Sequence, residues 1–116
     1  MKPLVVYLAS PYTLGDVAAN VATQLDAVHL LMDMGHVPIA PLLSHFCHIY
    51  RQRPYAEWLR CDLALLRRAD IVLRLPGASR GADHECRDAK RHGIPVANGW
   101  KEFETLALTA PQRRVR

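Results

Sequence analysis

The sequence predicts one α/β domain, a parallel sheet of about four strands with helices on both faces. Three observations carry this expectation. Apolar runs rich in β-branched residues alternate with longer segments whose apolar residues recur every three or four positions, as in a βαβ succession. Glycines follow the helical segments and prolines mark the loops. The 116 residues are enough for one core and too few for a separate cofactor domain. Such sheets connect through right-handed crossovers and bind ligands beyond the carboxyl ends of their strands.

Residues 3–9 (PLVVYLA) read as a central strand buried on both faces. Pro11 and Gly15 then open a loop, and Asp16 caps a helix running to about Met34. Its apolar stripe is Val17, Val21, Leu25, Val28, Leu31 and Met32, with Gly35 at its end. Residues 36–40 form a short second strand, and Pro38 suits an edge position because it cannot donate to a ladder. Residues 41–54 show no period and read as a functional loop or short irregular helix. Residues 55–68 are helical, with Trp58, Leu59, Leu63, Leu65 and Leu66 as the apolar stripe. Asp70 opens a third strand, 71–75, and a loop leads to a helix over about 82–92 closed by Gly93. Residues 94–97 make the fourth strand and about 101–108 the last helix. The domain is expected over 1–110, followed by a basic tail over 111–116 that holds much of the net charge of +4. That tail reads as a solvated terminus, so the partner expected is a small anionic molecule and not a long nucleic acid.

Three widely spaced cysteines, Cys47, Cys61 and Cys86, form no CxxC pair. They suit a reducing compartment, and the early first strand and short apolar runs suit a cytoplasmic protein without a membrane span. His45, Cys47 and His48 invite a zinc reading, but H-x-C-H matches no common structural site, and no metal is expected. Neither a Walker A motif nor GxGxxG is present, which argues against an NTPase or a dinucleotide enzyme.

The segment Ser79-Arg80-Gly81-Ala82-Asp83-His84-Glu85 is the strongest candidate for chemistry. A glycine lets backbone approach a ligand, exposed N–H groups at a helix start attract anions, and Glu85 is placed to act on an anomeric carbon. The alternative is that Asp83 and Glu85 only favour the helix dipole. Asp62 either lines the crevice or faces solvent, and Asp70 is a boundary residue. Tyr7 either reaches a catalytic carboxylate or is an interior aromatic. Tyr12, Arg51 and Arg53 are expected around the crevice.

Three segments, VVYLASPYT, DLALLRRADIVLRL and SRGADHECRDAKRHGIPV, together resemble the nucleoside 2-deoxyribosyltransferase-like superfamily over residues 4–96. The last follows the pattern S-x-G-x-x-x-E and then G-x-P-V. The resemblance implies a flavodoxin-like sheet of order 2-1-3-4 and a homodimer or larger oligomer. It implies Glu85 as nucleophile, Tyr7 as the residue orienting it, and Asp62 as the carboxylate that binds or protonates the leaving base. Ala9, Ser10 and Tyr12 of the first loop are then substrate-binding, with Ser79, Arg80, Gly81 and Asp83 of the later one. Three departures stand out. The first loop lacks the glycine and arginine of the phosphate hydrolases, Asp83 replaces a small residue, and a fifth strand is missing. The activity implied is N-glycosidic cleavage of a nucleoside or its 5-monophosphate, without cofactor. Base exchange and a non-catalytic nucleotide-binding module are the alternatives.

Overall fold

A computed structural model describes residues 2–112; the basic segment from 113 lies outside them. The elements run β1 (Val5–Ala9), α1 (Val17–Asp33), β2 (Val37–Ile39), a 3₁₀ turn (Pro41–Leu43), α2 (Ser44–Tyr50), α3 (Tyr55–Leu66), β3 (Ile71–Arg74), α4 (Arg80–Arg91), β4 (Val96–Asn98) and α5 (Trp100–Ala107). The four strands form one parallel sheet in the order β2-β1-β3-β4. The order 2-1-3-4 is therefore the one found, and Pro38 lies in an edge strand, beside Val6.

Side chains on β1 alternate between two cores, as the two-residue strand period requires. Leu4, Val6 and Leu8 pack with Ala27 and Leu31 of α1 and Phe103 and Ala107 of α5. Tyr7 and Ala9 pack on the other face with Leu66 and with Ala82, Cys86 and Ala89 of α4. Both faces of the sheet are thus covered, and the central strands can be apolar throughout. Asp70 is a boundary residue, accepting a hydrogen bond from the Val5 N–H at 2.7 Å.

Several boundaries differ from the sequence expectation. Residues 41–54 fold as a 3₁₀ turn and a seven-residue helix. The face that α1 buries is Val21, Gln24, Ala27 and Leu31, and Met32 is exposed. In α3, Leu66 is buried and Leu65 is exposed. Helix α4 begins at Arg80 because Ser79 caps it, the Ala82 N–H donating to Ser79 Oγ at 3.1 Å. Glu85 consequently sits in the second turn, not the first. β4 is shifted to Val96–Asn98, since the Ile94 N–H bonds back to Ala89 and closes the α4 end. Among the described residues no helix is long and apolar enough to cross a membrane.

Candidate active site

The parallel order places the ends of β1 and β3 side by side, and the chain leaves both toward the same edge. A cleft of about 690 Å³ opens there. Its walls come from the loop after β1, from α1, from the 3₁₀ turn and α2, and from the starts of α3 and α4.

Glu85 lines the cleft, and Tyr7 meets it from behind. The Tyr7 hydroxyl donates a hydrogen bond to Glu85 Oε2, joining β1 to α4. Tyr7 is fully buried and Glu85 is 7% exposed. Burial is the largest influence on the Glu85 carboxyl and raises it from 4.5 to about 7, with the Asp62 charge adding to the rise. The Tyr7 hydrogen bond and the charge of Arg74 act the other way. Burial also raises Asp62, from 3.8 to about 7. Tyr7 is pushed far above its ordinary value, by burial first and then by Glu85, so its hydroxyl stays a donor.

Of the residues singled out from sequence, Ser10, Tyr12, Asp62, Ser79, Arg80, Gly81 and Glu85 all line this cleft. Tyr7, Ala9 and Asp83 do not; Tyr7 lies behind Glu85, fully buried. Ala9 is sealed inside β1, its carbonyl accepting from the Leu75 N–H at 2.9 Å. The Asp83 carboxylate pairs with Arg74 at 3.1 Å, outside the cleft lining. Arg74 is held further by the carbonyls of Leu75 and Gly77. Arg53 lines the cleft, whereas Arg51 lies in an adjoining groove.

Four contributors went unrecognised in the sequence. Gln24 is fully buried, donates to Ser10 Oγ at 2.8 Å and accepts from the Leu42 N–H at 2.9 Å. It ties α1, the first loop and the 3₁₀ turn together beneath the cleft. A polar residue in register with Val21 and Leu31 was the available signal. Trp58 donates through Nε1 to His48 Nδ1 at 2.8 Å, and both line the cleft. Tyr55 approaches Gly81 so closely that a Cβ there would lie 3.3 Å from its hydroxyl. The sequence marked His48 only for a zinc reading and Trp58 only as part of an apolar stripe, because an irregular segment separates the two helices that bring them together.

A buried carboxylate held by a phenol, with a second carboxyl beside it in a deep cleft, is an arrangement for nucleophilic and acid–base chemistry on a small molecule. In fold, the chain is similar to a solved 2-deoxyribosyltransferase from the psychrotolerant bacterium Bacillus psychrosaccharolyticus, with a TM-score of 0.61 and 24% identity over 79% of this chain and 69% of that one. In sequence, residues 4–99 match the family described as Domain of unknown function (DUF7768), and the chain belongs to that family. No curated protein matches it.

Proposed function

We infer that the protein cleaves the N-glycosidic bond of a nucleoside or nucleoside monophosphate, with Glu85 as nucleophile. The observation that carries this reading is the Tyr7–Glu85 hydrogen bond beside a cleft that Glu85 and Asp62 line. The likeness in fold to a 2-deoxyribosyltransferase adds support.

Two carboxyls that each titrate near 7 and repel one another hold about one proton between them at neutral pH. The charge belongs on Glu85, because Tyr7 donates to it and Arg74 lies near it, while burial alone acts on Asp62. The proton therefore stays on Asp62. Glu85 attacks the anomeric carbon, the C–N bond breaks, and its electron pair leaves with the base, which takes the Asp62 proton. The glycosyl ester on Glu85 is then opened by water, with Asp62 as base, or by a second free base. Water gives hydrolysis and the second base gives transfer.

The test is incubation with a panel of nucleosides and their monophosphates, with and without added free base, followed by chromatography of released base. Glu85→Gln keeps size and hydrogen-bonding reach but cannot form the ester. It should lower turnover by well over the ~10²–10⁴-fold ascribed to general acid–base help. A variant retaining most of the wild-type turnover on a confirmed substrate would remove Glu85 from the reaction.

A further inference from the structure

Beside the cleft lies a second depression of about 440 Å³, lined by Phe46, Cys47, Tyr50, Arg51, Arg53 and Trp58. It shares Arg53 and Trp58 with the cleft, so the two spaces adjoin. Trp58 is held as their common wall by its hydrogen bond to His48 and an edge contact between the rings, 5.8 Å apart at 75°. Phe46 is 54% exposed and Tyr50 is 91% exposed. Helix α2, which carries both, buries none of its residues. These rings therefore contribute little to the core. Arg51 is exposed, and Arg53 is paired with the half-buried Glu57.

Exposed aromatic rings beside arginines stack bases and neutralise phosphate without demanding a particular sequence of bases. A nucleoside seated at Glu85 leaves the groove empty. We propose that the groove is a second base-binding subsite and that the substrate is a dinucleotide, two nucleosides joined through phosphate. The nucleoside to be cleaved occupies the cleft. The phosphate bridge passes Arg53 and Arg51, and the distal base stacks on Tyr50 and Phe46. The proposal rests on the reading of the cleft as a nucleoside site and adds what lies beyond it. It commits the adjoining surface to a basic, aromatic role in recognition.

The experiment uses tryptophan fluorescence on the full-length Glu85→Gln, Trp100→Phe protein, in which Trp58 is the remaining tryptophan and which binds without turnover. The ligands are the four common nucleoside 5-monophosphates and the matching dinucleotides joined 5 to 5 by pyrophosphate. At least one dinucleotide should bind about ten- to a hundredfold more tightly than its monophosphate. Tyr50→Ala and Arg51→Ala, both outside the cleft lining, should erase that advantage and leave monophosphate binding unchanged. Equal affinity for both ligand sets overturns the subsite and leaves the cleft reading standing. Absence of binding by every ligand, and by the four free nucleosides run beside them, overturns both. Light scattering that shows a dimer, with Tyr50→Ala making it a monomer, also overturns the proposal, because a second copy would then cover the groove.

Discussion

Helices α4 and α2 face the same cleft and are built in opposite ways. Helix α4 buries Ala82, Glu85, Cys86, Asp88 and Ala89, is capped by Ser79, and is bound to the end of α3 by the paired Arg67–Asp88 hydrogen bonds of 3.1 and 2.8 Å. Helix α2 buries nothing, has no side-chain cap, and is held from its polar side by Tyr12–His45 and Trp58–His48 contacts of 2.6 and 2.8 Å. The carboxylate proposed as nucleophile rides on the packed helix. The proposed cover rides on the lightly held one. Precision of placement comes from packing, and adaptability comes from few apolar contacts.

Substitutions on the two sides should therefore separate into rate effects and binding effects. The largest belongs to Glu85→Gln, with its loss of turnover on a confirmed substrate. The same change should stabilise the fold. The free chain releases the Glu85 proton near 4.5 and the folded protein only near 7, so the fold holds more protons in that window. Stability then falls as pH rises from about 4.5 to about 7, by about 3 kcal/mol. Thermal melts should show Glu85→Gln more stable than wild type at pH 8 and equal to it at pH 4. A variant less stable at pH 8 would show that the buried charge is compensated.

Next in size is Tyr7→Phe, expected to lower kcat by about a hundredfold. The Tyr7 hydrogen bond lowers the Glu85 carboxyl, so its loss should raise that carboxyl further and move the acid limb of the rate profile to higher pH. A hundredfold loss with an unmoved limb would limit Tyr7 to packing. On the proposed mechanism, protonation of Glu85 below about 7 removes the nucleophile and ionisation of Asp62 above about 7 removes the proton donor. The kcat profile should then be a narrow bell around neutrality, and Asp62→Asn should abolish its alkaline limb.

The smallest effect falls on the cover. His48→Leu removes the acceptor for Trp58 Nε1 and for the Arg53 N–H. KM should rise up to about tenfold while kcat stays within about twofold. A change confined to kcat would place α2 among the elements that set the reacting geometry.

The sequence by itself determined the layered architecture. Strand and helix periods, Asp16 and the terminal glycines are local signals, and local signals survive in one dimension. Gly35 and Gly93 do adopt the positive φ, +87° and +72°, that ends a helix. The segment around Glu85 could also be singled out, because its glycine and its acidic residues sit within one short stretch. Only the tertiary structure decided which of these residues share a space. It turned Asp83 toward Arg74 and out of the cleft, and drew in Asp62, Tyr55, Trp58 and His48 from helices with no motif of their own. It also decided that Gln24 would be buried beneath Ser10. The physical reason is that a cleft at the ends of parallel strands is assembled from crossovers far apart in sequence. The carboxyl shifts that make the chemistry possible arise from desolvation and proximity, and neither exists before the chain has folded.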